Sequence, residues 1–398
     1  MFHGINIPPE SPKSIEEIKK EVQRHFQVTN SFTILREGRQ IYIYQVERPQ
    51  NTKKPFKQLL SDVRKLGYTV LLREGETDSH LKVIAIPETW TDKAIITRGR
   101  EEKEKEILPR EELVKEERTM EGVEKEEKDP QKWTLISLIL TLGTISYAGY
   151  IFSYGFRNYS PIGLLPNIFL YVLSLFSIIA FHEFGHIFAS KRHGIEATYP
   201  IFIPGIPWIG GTFGAFIRQE SPPANRDELF DLGILGPLFG FAIALIVTIG
   251  GLLLSQPVPS NEISNADELP IPLLYQIFAE IQQVTSGEIL LLHPVAFAGW
   301  VGFLVTGLNL LPVSQLDGGH ISMAMFKGET HKYLSYVVIA ILLLMRLFFM
   351  ALLLFLFMRG QHPPPLDNVS QLSLKRKVVG VLSWIIIIVT IPPLGLYY

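Results

Sequence analysis

The sequence predicts a mainly α-helical polytopic membrane protein with a small α+β domain at its N-terminus. Three observations lead there. Of 398 residues, 47% are hydrophobic, and beyond residue 132 they gather into runs long enough to cross a bilayer. Most charged residues precede that point. Inside one apolar run stand His182, Glu183 and His186, and burying such groups in hydrocarbon costs about 2.5 kcal/mol or more each unless something compensates.

Composition removes several function classes. There is no cysteine, so disulfides, thiol chemistry and thiolate metal sites are excluded, and any metal must be held by His, Asp and Glu. A net charge of -2 gives no case for a nucleic-acid partner. The first thirty residues lack the apolar core of a signal peptide, which favours a retained, cytosolic N-terminus.

Residues 14–27 read as a helix: Ser14 with Glu17 forms a capping box, and Ile15, Ile18, Val22 and Phe26 share one face. Strand-like runs follow from Phe32 to Arg36 and from Gln40 to Glu47, around Gly38. The order then repeats, with Phe56, Leu59, Leu60, Val63 and Leu66 on a second helix, Gly67 suited to its C-terminal cap, and strands near 68–73 and 81–86. Leu35-Arg36-Glu37-Gly38 and Leu72-Arg73-Glu74-Gly75 hold matching places. Residues 1–90 therefore read as an α+β domain of two helix-hairpin repeats. No catalytic cluster is visible there, and a regulator or a substrate could dock on it. Residues 91–132, rich in Glu, Lys and Arg, read as a charged linker or solvated helix.

The region 133–398 holds apolar runs at 133–154, 165–190, 229–254, 291–312, 334–358 and 378–398. Each is long enough for roughly 30 Å of hydrocarbon at about 1.5 Å per residue, which predicts six transmembrane helices. Lys191 and Arg192 end the second run, whereas the loop 255–290 has acids and no Lys or Arg; the N-terminus is then cytosolic. A simple six-span count leaves Arg359, Lys375, Arg376 and Lys377 on the outer side. Arg346 interrupts the fifth run, and if that run enters and leaves on one side the number becomes seven. Residues 198–218, broken by Pro200, Pro204, Pro207 and several glycines, read as a re-entrant loop or short hairpin at membrane depth.

His182 and His186 are four residues apart, so on a helix their imidazoles stack on one face and can share one metal ion. Glu183 lies beside the first of them, where its carboxylate can take a proton from a water that the ion acidifies. A third protein ligand must come from elsewhere, and the strongest candidate is Asp317, in Asn309-Leu310-Leu311-Pro312-Val313-Ser314-Gln315-Leu316-Asp317-Gly318-Gly319-His320. The second and fourth spans run in the same direction, which brings His182 and Asp317 to the same cytosolic leaflet. His320 is a minor candidate for the metal, while His193 and His293 read as interfacial or structural. Gly233, Gly236 and Gly240 read as positions of close helix packing.

With both motifs in place, the chain resembles an intramembrane zinc metalloprotease of the site-2 protease family, among its archaeal and chloroplast-type members. The resemblance covers roughly residues 133–377. It includes Gly211-Thr212-Phe213-Gly214-Ala215, Phe230-Asp231-Leu232-Gly233-Ile234-Leu235-Gly236-Pro237 and the later His362-Pro363-Pro364-Pro365-Leu366-Asp367. It implies one Zn2+ held by His182, His186 and Asp317, with Glu183 as general base and Asn309 in contact with the substrate or the developing oxyanion. The implied substrate is a membrane protein with a transmembrane segment, cleaved within the lipid bilayer of a prokaryotic, archaeal-type cell membrane. The strand edge from Thr212 to Ile217 could hold an unwound substrate by β-addition. Two other classes fit parts of the pattern. An intramembrane metal transporter would bind an ion with the same side chains, but no polar residues continue the path through the other spans; a non-hydrolytic membrane scaffold has no need of Glu183.

Overall fold

The computed structural model describes residues 12–36, 39–88, 130–262, 287–313, 316–326, 328–344, 348–357 and 364–390, with short pieces between 269 and 284. Most of the linker expected at 91–132 lies outside the described residues. The chain divides into two compact units.

The first unit contains the N-terminal elements in the order α1 (Pro12–His25), β1 (Val28–Arg36), β2 (Arg39–Glu47), α2 (Lys53–Arg64), β3 (Tyr68–Glu74) and β4 (His80–Pro87). Helix α1 begins at Pro12, so Ser14 lies within it and not at its cap; proline is well suited to a first helical turn because its missing N–H has no helical acceptor there. All four strands form one antiparallel sheet in the order β1-β2-β4-β3. Alternation sets its core: Tyr42, Tyr44 and Val46 of β2 are buried, as are Leu81, Val83 and Ala85 opposite them. Phe56, Leu59, Leu60 and Val63 of α2 belong to the same cluster.

Two segments far away in sequence, Pro222–Leu229 and Pro363–Ser373, also belong to this first unit. Leu366 to Asn368 lies parallel to β3, with Leu72 N–H donating to Leu366 O (2.9 Å) and Asn368 N–H to Leu72 O (3.3 Å). Buried Asp367 accepts from the backbone N–H groups of Val369 and Ser370, both at 2.9 Å. Lys53 and Lys57 donate to Asp227 (2.8 Å) and Glu228 (3.0 Å). A strand of three residues has too short an alternation to be recognised by period.

The second unit is mostly helical. Its elements are α3 (Pro130–Phe156), α4 (Leu164–His193), β5 (Ile201–Pro204), β6 (Thr212–Phe216), most of α5 (Arg226–Leu254), β7 (Gln256–Pro259), α6 (Leu273–Ile281) and β8 (Glu288–Leu291). They are followed by α7 (Pro294–Asn309), α8 (Asp317–Met325), α9 (Gly328–Leu344), α10 (Phe348–Phe357) and α11 (Leu374–Thr390). Among the described residues, α3, α4 and α5 are long and apolar enough to cross a membrane. Leu165, Phe169, Ile246 and Leu253 are exposed on them, as expected of a surface that faces lipid. Helix α4 ends at Gly194, whose left-handed backbone (φ 68°) caps it, after a last turn of Lys191, Arg192 and His193.

In the apolar run 334–358 the described residues are helical, as α9 up to Leu344 and as α10 from Phe348 to Phe357; Arg346 lies outside the described residues. Segment 198–218 is an antiparallel hairpin, β5 paired with β6. It is tied to α3 by Thr144 Oγ1 donating to Gly211 O (2.6 Å), and to α4 by Tyr171 Oη donating to Gly210 O (3.0 Å). The core between α3, α4 and α7 is aromatic, with Phe152 against Phe297 and Phe297 stacked on Trp300 at 5.5 Å.

Candidate metal centre

Helix α4 carries His182 and His186 one turn apart, with their imidazoles facing each other. Asp317 is the first residue of α8, a separate short helix, and not the end of the preceding span. The chain turns back between the two helices because Gly318 lies against the backbone of Leu310 and Leu311, where a Cβ would not fit. The N-terminal position also suits a carboxylate, which faces the positive end of the helix dipole.

These three side chains converge. The two Nε2 atoms are 3.2 Å apart; His182 Nε2 is 3.2 Å from Asp317 Oδ2, and His186 Nε2 is 3.3 Å from Asp317 Oδ1. A tetrahedral ion with bonds of about 2.0–2.1 Å separates its ligands by about 3.3–3.4 Å, so the spacing matches a shared divalent cation. A carboxylate and two imidazoles also form a hard to borderline donor set suited to such an ion, with a fourth position left for reactants. His186 Nδ1–H donates to the carbonyl of Leu232 (2.8 Å), which fixes the tautomer and turns Nε2 towards the donors. Glu183 is 3% exposed, and its Oε2 is buried with no hydrogen-bond partner. A carboxylate oxygen left so beside a metal-ligand trio fits a water or substrate proton as its partner.

Helix α5 forms the back wall, and three of its glycines each face one residue of the converging trio. A Cβ on Gly233 would come within 2.7 Å of the Asp317 carbonyl, one on Gly236 would fall on the His186 imidazole, and one on Gly240 would meet His182 Cβ and Nδ1 at 3.1 Å. Gly185, between the two histidines, is matched to this: its Cβ would lie 2.9 Å from Gly236 Cα. Gly236→Ala is therefore expected to push His186 aside and weaken metal retention by about tenfold or more, the scale on which ligand orientation acts. Gly250→Ala, in the same helix with open space around it, should leave metal content unchanged. Metal per chain after dialysis, by mass spectrometry, decides this; equal content in both variants refutes it.

His182 and Glu183 open onto a cleft of about 430 Å³, mouth included, lined by Phe213, Gly214 and Ala215 of β6 and by Thr306 and Asn309 of α7. The Asn309 amide lies 3.4 Å from His182 Nε2. Three further histidines are not among the converging donors. His193 pairs with Asp231 (2.8 Å), His293 caps α7 and contacts Asn167 (3.2 Å), and His320 does not join the converging donors. A second trio, Glu21, His25 and Asp62, converges in the first unit. It is accounted for by ion pairs: Arg24 holds Glu21 (2.7 Å), and hydrogen bonds from Lys65 and His25 hold the Asp62 carboxyl below the usual carboxylate range.

Two imidazoles and a carboxylate that converge, with a glutamate oxygen beside them that is buried without a hydrogen-bond partner, fit the class of metal-dependent hydrolase sites. Residues 170–353, just under half of the chain, match the family described as Peptidase family M50. The chain is 29% identical over 213 residues to "Probable zinc metalloprotease EGY2, chloroplastic" of Arabidopsis thaliana, covering 52% of this chain and 38% of that protein. It is 29% identical over 236 residues to "Probable zinc metalloprotease EGY1, chloroplastic" of Oryza sativa subsp. japonica, covering 55% and 39%. With "Probable zinc metallopeptidase EGY3, chloroplastic" of Arabidopsis thaliana the identity is 26% over 240 residues, covering 54% and 41%. The chain thus matches about two fifths of the length of these relatives. They are chloroplast proteins and lend no support to an archaeal membrane. No solved structure matches the chain.

Proposed function

We propose that this chain is an intramembrane zinc metallopeptidase that hydrolyses peptide bonds within or next to transmembrane segments of membrane proteins. The observation that carries the reading is the convergence of His182, His186 and Asp317 beside Glu183, whose Oε2 is buried without a hydrogen-bond partner. His182, His186 and Asp317 would hold the zinc, which would supply Lewis-acid chemistry there, acidifying water and polarising a carbonyl. Glu183 takes the proton of the attacking water and returns it to the leaving nitrogen. Asn309, in the lining of the cleft, offers its amide N–H to the oxygen on which charge develops. Substrate must be extended to expose its peptide bonds, because in a helix they are shielded by their own hydrogen bonds. Strand β6 lines the cleft and, among the described residues, has a strand on one edge alone, so an unwound segment can add to its other edge.

Membrane character follows from the family and from α3, α4 and α5. Six or seven spans, with the hairpin β5–β6 at membrane depth, is our reading of the finer arrangement; the basic last turn of α4 supports a cytosolic N-terminus and a site near the cytosolic leaflet. We assign residues 1–90 to a cytosolic α+β domain on which a regulator or substrate docks, 91–132 to a linker, and 133–398 to the protease domain. The test uses purified protein in liposomes with membrane-spanning substrates. Cleavage should stop when a chelator strips the metal and return when Zn2+ is restored. Undiminished cleavage by metal-free protein would overturn the reading.

A further inference from the structure

One ion cluster outside the donor trio reaches it through the backbone. Asp231 lies near the start of α5, in the residue before Leu232, whose carbonyl holds His186. Arg376 of α11 grips Asp231 with two parallel bonds, Nε to Oδ1 at 2.7 Å and a terminal nitrogen to Oδ2 at 2.6 Å. His193, the last residue of α4, meets the same carboxylate at 2.8 Å. All three side chains are largely buried. A two-pronged Arg–carboxylate contact fixes direction as well as distance, which a Lys or a single hydrogen bond does not.

What that contact fixes is the register of α5. Going up the helix from Asp231, the Leu232 carbonyl meets His186 Nδ1, Gly233 meets Asp317, Gly236 meets His186 and Gly240 meets His182. Sliding α5 by one residue would move this ladder about 1.5 Å and turn it by about 100°, putting side chains where the ligands need glycine. Glycines hold a helix weakly by themselves, since they allow close approach without choosing among neighbouring registers. A charged clamp at one end makes that choice. Arg376 also lies beyond residues 170–353, so the last helix contributes to a centre that the matched segment does not complete alone.

Resting on the metal reading above, we propose that Asp231, held by Arg376, is a positioning residue for the metal centre: it sets α5 against α4 so that the Leu232 carbonyl keeps His186 Nε2 aimed at the shared ion.

The test is Co2+ binding to the purified full chain in detergent, followed by the visible absorption of the bound ion. Wild-type protein should bind one Co2+ per chain, and His186→Ala should lose it. Asp231→Asn and Arg376→Met should each weaken Co2+ binding by about tenfold or more, as partners of metal ligands do, and should shift the band. The double variant should bind no more weakly than the worse single one, because both act through one contact. Arg376→Lys should recover part of the loss. Tyr275→Phe, which removes a buried hydrogen bond to the Ala296 carbonyl (2.6 Å) away from the centre, should lower the melting temperature and leave the spectrum alone. The proposal fails if Asp231→Asn and Arg376→Met melt earlier yet bind Co2+ with wild-type affinity and spectrum. If His186→Ala binds as well as wild type, the metal reading fails, and the positioning role with it.

Discussion

Replacing Glu183 by Gln is expected to slow cleavage of a membrane-spanning substrate by about 10³-fold or more, within the range general acid–base groups supply, while zinc stays bound. The amide keeps the size of the carboxylate and can still make a hydrogen bond, so the change removes basicity and little else. Three placements support this outcome. Glu183 is not one of the converging donors, its oxygen Oε2 is buried without a partner, and it opens onto the cleft with His182 and Asn309. A carboxylate whose role was to stabilise the helix pair would behave differently: Gln would be tolerated in catalysis or would unfold the protein. Initial rates in liposomes, zinc per chain and melting temperature together separate these cases. Activity within about tenfold of wild type would remove Glu183 from the mechanism. Loss of zinc would make it a ligand instead.

The parts of this site that could be read in the sequence are those fixed by local periodicity. His182 and His186 fall on one helix face because four residues nearly complete a turn, and α4 delivers them that way. Asp317 was legible as a candidate third donor from the Asn309 to Gly319 motif, but its setting was not: α8 packs against the end of α7 through a backbone contact at Gly318. Gly233, Gly236 and Gly240 were visible as a packing stripe, yet sequence spacing could not say that each faces a different residue of the converging trio. Asp231 and Arg376 are 145 residues apart, and no period links them. The same holds for Leu366 to Asn368 beside β3, a pairing made by three residues of backbone. Hydropathy found the apolar runs correctly where helices are long, in α3, α4 and α5.

Asp317→Ala is expected to remove zinc and activity together, beyond the roughly 10- to 100-fold that a partner outside the coordination sphere carries. Two imidazoles alone would remain, with their Nε2 atoms 3.2 Å apart, and a two-ligand site competes poorly with chelators. The contrasting view makes Asp317 an ion-pair partner that merely orients His182 and His186. What favours a ligand is that both imidazole nitrogens and a carboxylate oxygen converge on one point, although each oxygen also meets one imidazole as an ion-pair partner would, Oδ2 at 3.2 Å and Oδ1 at 3.3 Å. Asp317→Asn separates the views further. As a ligand, the amide is a much poorer donor to zinc and metal content should fall steeply; as an orienting partner, it can still hydrogen-bond and the loss should stay modest. Asp317→Glu should also fail, because the longer side chain needs its backbone to retreat and Gly318, packed on Leu310 and Leu311, leaves no room to do so. Zinc titration against a competing chelator measures all three variants. Wild-type affinity in Asp317→Ala would place the third ligand elsewhere, and His320, one turn along α8, would then be the side chain to replace.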